Sequence, residues 1–148
     1  MTTDPAACET FTDLSVHCHG ACFVCGQRSQ DGLGLRFTEE ADGSVVGCFA
    51  CDERYQGYPD RLHGGVIAML LDAAMTHCLF VRDIMAVTGS LKLRMTRLAE
   101  VGVPACLRAW LVRSAPPGYL LKAELSQIGI VRATAEGLFV ERQALEEH

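Results

Sequence analysis

Basic residues are in the minority: thirteen Lys and Arg stand against eighteen Asp and Glu, a net charge of -5. A chain whose main partner is nucleic acid needs a concentrated positive surface, so that class is excluded. A local basic strip for a small phosphorylated ligand is not. A membrane-length apolar run is also missing. The most apolar stretch, Val66 to Val81, is broken by Asp72, Thr76 and His77, and it falls short of the roughly 20 residues a spanning helix needs. Residues Met1 to Asp13 carry Asp4, Glu9 and Asp13 and hold neither a basic nor an apolar leader segment. No secretory signal is expected, and the location expected is cytoplasmic. Internal repeats and low-complexity tracts are absent too.

What is present suits one packed domain spanning residues 1–148: 49% of residues are hydrophobic and 21% charged. Residues 1–30 have no clear periodicity and read as mostly irregular. Gly34 to Glu40 and Ser44 to Cys51 flank Asp42-Gly43, a two-residue hairpin signal. A loop marked by Gly57 and Pro59 follows. Residues 64–81 then form the one long helix, apolar almost all round, so nearly every face needs cover. A single domain's sheet covers one side. The other side is expected to meet a second copy of the chain.

Beyond the helix the period changes to two. Leu91, Leu93 and Met95 alternate with Lys92, Arg94 and Thr96, the pattern of a half-buried strand. Leu107, Ala109 and Leu111 alternate in the next strand. After the turn Pro116-Pro117-Gly118, so do Tyr119, Leu121, Ala123 and Leu125. A last strand runs from about Val131 to Glu141. Two strands, one apolar helix and four strands predict an α+β domain with an antiparallel sheet wrapped around the helix.

The chemistry concentrates in His63-Gly64-Gly65 and Asp72. Glycines opening a helix leave backbone N–H groups that a substrate oxygen can approach, at the positive end of the helix dipole. That is a favourable place for an oxyanion. Asp72 is the one carboxylate in the helix and costs free energy there unless it is paired or used. The plainer alternatives are a hydrogen bond from Thr76 to Asp72 and a capping role for His63. Gly64 and Asp72 lie eight residues apart, about 12 Å along a helix, too far to act on one carbonyl within one subunit. Two such helices packed antiparallel across a two-fold axis bring each Gly64 to the partner's Asp72.

With Asp72 nine residues after His63, this run resembles the hotdog-fold thioesterases of the phenylacetic-acid-degradation type. Tyr55-Gln56-Gly57-Tyr58-Pro59 and Ala86-Val87-Thr88 are similar to the same family, as is Cys22-Phe23-Val24-Cys25-Gly26 followed by Gly32-Leu33. The likeness covers roughly residues 22–141. It implies a hotdog fold, a dimer or tetramer, and hydrolysis of an acyl-CoA without metal or redox cofactor. It further implies Asp72 as nucleophile or general base and Gly64 as donor to the thioester carbonyl, with His63 as the third catalytic residue. Thr88 would orient water or substrate, with Gly65, Gly89 and Ser90 lining the site. Some relatives carry asparagine six residues before the histidine. Gly57 stands there in this chain, and Gln56 is the nearest amide. Arg94 and Arg97 are expected to meet the phosphates of coenzyme A, the alternative being a solvated strand face.

Eight cysteines without a secretory signal should be reduced thiols. Cys22-x2-Cys25 with Cys48-x2-Cys51 has zinc-site spacing. Cys48 and Cys51, however, fall in a strand where residues three apart face opposite ways. His17, Cys18 and His19 are alternative ligands, and buried free thiols are the plainer reading. Three rival functions remain open at this point: a non-catalytic acyl-CoA-binding protein, an enoyl-thioester hydratase or dehydratase, and a zinc-held interaction module.

Overall fold

A computed structural model describes residues 19–26 and 32–143. Its order is β1 (Phe37–Glu39), β2 (Val45–Phe49), a 3-10 turn (Glu53–Tyr55), α1 (Gly64–Phe80), β3 (Ala86–Met95), β4 (Ala105–Ala115), β5 (Gly118–Gln127) and β6 (Ile130–Glu141). The strands form one antiparallel sheet in the order β1-β2-β4-β5-β6-β3. The sheet wraps α1, as the period change after residue 81 predicts. No helix among the described residues is long and apolar enough to cross a membrane.

Strand alternation translates directly into core. Leu107, Ala109, Leu121, Ala123, Leu125, Ala133 and Phe139 point at α1 and are buried, as are Leu70, Leu71, Met75 and Cys78 from the helix. The β1–β2 hairpin differs from the expected two-residue turn. Glu40 N–H donates to Ser44 O, which closes a three-residue loop, and only Gly43 takes positive φ, at 85°. Asp42 instead turns its carboxylate onto Ser44 N–H at 3.0 Å. That is the Asx geometry short polar side chains favour.

The helix is covered differently at its two ends. From Ala73 to Phe80 every residue is buried. Part of that cover comes from residues 19–26 of the same chain: the His19 ring stands edge-on to Phe80 at 5.0 Å, and Val24 and Cys25 are buried. Phe37 of β1 lies 4.8 Å from the His77 ring. The expectation that a second copy must cover the outer helix face is therefore corrected for this half. The chain's own N-terminal segment does it. Toward the other end Gly64 and Gly65 are exposed and Val66, Ala68, Met69 and Asp72 are only partly buried.

The half-buried strand expected at 91–95 is also different. β3 pairs with β6 along one edge and with no described strand along the other. Val87, Leu91 and Met95 are 38%, 38% and 43% exposed.

Candidate active site

Gly64 is the first residue of α1, and His63 is its N-cap with extended φ/ψ of -62° and 133°. His63 Nδ1 accepts from Gly65 N–H at 2.9 Å, so the neutral ring carries its proton on Nε2. This is the capping role, and it leaves Gly65 N–H already engaged. A Cβ on Gly65 would also lie 3.0 Å from that ring. Gly64 N–H bonds to no other described residue, and a Cβ there would meet only Met95 Cε, at 3.4 Å. The accessible donor of the pair is Gly64.

A cleft of about 400 Å³ opens at this helix end, bordered by Tyr58, Arg61, His63, Gly64, Ile67, Met95, Arg97 and Leu98. Two loops build it, stitched by Leu62 N–H to Ala99 O at 2.9 Å and Val101 N–H to Asp60 O at 3.1 Å. Arg61 and Glu100 add an ion pair at 3.4 Å. Gln127 anchors the second loop from beneath. Its side chain is buried, accepts from Glu100 N–H at 2.9 Å, and donates to Glu100 O at 2.8 Å and Val103 O at 2.9 Å. Sequence reading missed Gln127, because a glutamine ending an alternating strand carries no local sign of its partners. Gln56 is exposed, and its Oε1 accepts from Asp60 N–H at 3.3 Å within its own loop. It does not border this cleft, which its neighbour Gly57 lines.

Asp72 lies two turns further along α1, in a separate cavity of about 210 Å³ shared with His19, Cys22, Cys25, Met69, Thr76 and His77. Its carboxylate accepts a 2.5 Å hydrogen bond from the Thr88 hydroxyl. Thr76 donates instead to the Asp72 backbone carbonyl at 3.0 Å, so the plainer alternative of a Thr76–Asp72 bond is met at the backbone and not at the carboxylate. The meeting of Thr88 and Asp72 depends on a break in β3. Thr88 pairs with Phe139 and Leu91 with Gly137, with a register shift between Thr88 and Ser90. An unbroken strand would put residues 88 and 91 on opposite faces. The bulge at Gly89 lets both face the helix. A Cβ at Gly89 would stand 3.2 Å from Leu138 O and Val140 Cγ2, so only glycine fits easily. Ser90 lies opposite Leu138, on the outer face.

The two candidate phosphate ligands separate. Arg97 borders the Gly64 cleft. Arg94 and Lys92 sit on the outer sheet face beside Trp110, Lys122 and Glu136. Of the cysteine sets, Cys48 is exposed on β2, while Cys51 is buried and takes Gln127 Nε2–H at 3.6 Å. They do not join Cys22 and Cys25. His17 and Cys18 lie outside the described residues. Electrostatics around Asp72 follow burial: it lowers His19 below the ordinary imidazole value, offset in part by the Asp72 carboxylate. Burial, with a smaller contribution from His19, lowers His77 to about 4.

A thioesterase superfamily protein superposes with a TM-score of 0.74 at 28% identity, covering 79% of this chain; the chain spans 61% of that protein's length. This chain has the hotdog fold of the thioesterase superfamily. The Escherichia coli PaaI protein of the phenylacetic acid degradation operon matches with a TM-score of 0.69 at 16% identity, over 74% of this chain and 84% of its own. A Streptococcus mutans protein solved with acetyl CoA gives a TM-score of 0.67 at 15% identity, over 72% and 86%. No family model and no curated protein matches the sequence. The hotdog sheet and its central helix are thus shared with thioesterases at low sequence identity.

Proposed function

We propose that this single-domain hotdog protein hydrolyses acyl-CoA thioesters to the free acid and coenzyme A, as a dimer whose active sites each draw on both subunits. The observation that carries the reading is the division of the helix. Gly64 N–H and the Thr88-held Asp72 carboxylate open into two different clefts, about 12 Å apart along a rigid rod. Neither cleft holds both an acid–base group on α1 and an oxyanion donor. Antiparallel pairing of β3 with β3 of a second copy would satisfy the open strand edge, cover Leu91 and Met95, and bring one Gly64 toward the other Asp72.

In that arrangement Asp72 takes a proton from water as the oxygen attacks the thioester carbon. Thr88 fixes the carboxylate's orientation through one oxygen and leaves the other for the water. The carbonyl oxygen gains charge against Gly64 N–H and the positive helix end. Collapse breaks the C–S bond, and Asp72 returns the proton to the departing thiolate. Arg97 suits a coenzyme A phosphate better than Arg94, because it alone borders the Gly64 cleft. The acetyl CoA held by the S. mutans neighbour supports the ligand class.

Complementation tests the shared site. Asp72→Asn removes the base. Gly64→Pro removes the N–H cleanly, since proline is at home at the first helical position and His63 already has the extended backbone proline demands. In a mixed dimer one site carries both defects and the other neither, so randomly paired co-refolded chains should recover about a quarter of wild-type activity. Verified heterodimers that recover nothing would sink the shared-site model.

A further inference from the structure

We propose that His19, Cys22 and Cys25 bind one zinc ion, which fastens the N-terminal segment over the C-terminal half of α1. The proposal is independent of the thioesterase reading. The imidazole nitrogen and the two sulfurs all lie within 4.8 Å of one another, and His19 Nδ1 is 3.6 Å from Cys25 Sγ. Tetrahedral zinc with Zn–S near 2.3 Å and Zn–N near 2.0 Å sets a sulfur–nitrogen separation of about 3.6 Å. A thiol–imidazole hydrogen bond accounts for that one distance, but the second sulfur within 4.8 Å of both atoms makes this a three-donor set.

The backbone is shaped for the same purpose. Cys22 N–H donates to His19 O at 3.0 Å and Gly26 N–H to Cys22 O at 2.7 Å, so the chain curls around the first sulfur. A Cβ on Gly26 would lie 2.5 Å from Cys22 N and O, which excludes any other residue from the curl. Leu33 N–H to Phe23 O and Leu35 N–H to Val24 O then tie this knuckle to the strand leading into β1. The ligand atoms face the Asp72 cavity, which leaves room for water as the fourth ligand. Binding converts two thiols to thiolates and releases two protons, with no change in zinc oxidation state. Without the ion, burial and the neighbouring Cys22 push the Cys25 thiol up to about 12.

The role follows from position. The segment is short and has little core of its own, yet it covers Phe80 and forms a wall of the Asp72 cavity. A metal crosslink would hold that wall where a few apolar contacts would let it open.

The test uses the full chain purified under reducing conditions with zinc supplied. Elemental analysis should find about one zinc per chain, and a chelator should lower the melting temperature. Cobalt substituted for zinc should give tetrahedral d–d absorption and a thiolate charge-transfer band sized for two sulfurs. Cys25→Ser and His19→Ala should weaken zinc binding at least ~100-fold in chelator competition. Cys48→Ser and Cys106→Ser, opposite one another on the outer sheet face, should leave it unchanged. Less than about a tenth of an equivalent after zinc incubation overturns the proposal. So does a cobalt spectrum that survives Cys22→Ser/Cys25→Ser. If those variants do not fold, the unmodified protein's cobalt spectrum decides alone, and absence of the two-thiolate band refutes the site.

Discussion

The two flanks of the sheet solve the same problem in opposite ways. On the β1 flank the edge strand has three residues, too short to invite pairing. The helix end beneath it is sealed by Phe37, by residues 19–26 and by Arg82, whose guanidinium donates to Cys78 O at 2.9 Å near the negative end of α1. On the β3 flank the edge strand has ten residues, most of them exposed, and the helix beneath it starts at Gly64, whose N–H has no partner among the described residues. The chain packs its own N-terminal segment and Phe37 over one flank, and leaves Val87, Leu91 and Met95 uncovered on the other. The flank left open carries Gly64, Arg97 and the Thr88–Asp72 pair. An edge that the chain leaves open is an edge available for a partner or a substrate.

The sharpest way to break this comparison is at the open flank. Asp72→Asn should lower kcat by at least ~100-fold with an unchanged melting temperature, and Gly64→Pro should cost ~10²-fold while Gly64→Ala stays near wild type. Turnover within a few-fold of wild type in Asp72→Asn would move the chemistry elsewhere. On the sealed core the sign reverses: Leu71→Ala should destabilise the fold by about 2–5 kcal/mol in urea unfolding, because Leu71 is fully buried. Leu91→Lys should change the monomer's unfolding by less than ~1 kcal/mol. Its effect should appear in sedimentation, as a shift from dimer to monomer. A dimer that persists would show that β3 is not the interface.

A subtler pair separates the arginines. Arg97→Ala should raise KM for acyl-CoA about tenfold, and much less for pantetheine thioesters lacking the nucleotide. Arg94→Ala should do neither. Equal KM effects on both substrates would assign Arg97 to the protein surface rather than to phosphate.

The smallest effect belongs to the sealed flank. Ser44, more than Arg108, holds the Asp42 carboxyl below its ordinary value. A carboxyl with a lower folded value stabilises the fold above its unfolded value, and that contribution fades as pH falls through the folded one. Asp42→Ala should therefore lower stability slightly above about pH 5, and the deficit should shrink as pH falls, which flattens the acid limb of the stability curve.

Much of this architecture was legible in the residues. The 64–81 apolar run, the period-two strands and their order follow from local patterning, because each side chain's preference acts within a few residues. The same holds for His63 as a cap and for Asp72 as the odd carboxylate in an apolar helix. The resemblance to hotdog thioesterases added the expected roles of Gly64 and Thr88.

Other features were settled only by folding. One bulge at Gly89 puts Thr88 on the face where it meets Asp72, and a bulge shifts a strand's parity through contacts with β6, fifty residues away in sequence. Gln127 finds its partners 24 and 27 residues back. Arg94 and Arg97 part company at the end of β3, where strand alternation stops and the loop turns into the cleft. His19 lies with Cys22 and Cys25, away from the Cys48–Cys51 pair, because the backbone curls between residues 19 and 26. The sequence alone thus determined which segments are helix or strand and which residues are candidates for the chemistry, since those depend on local pattern. Which of those residues share a cleft depends on register, bulges and loop stitching between distant segments, and only the tertiary structure decided that.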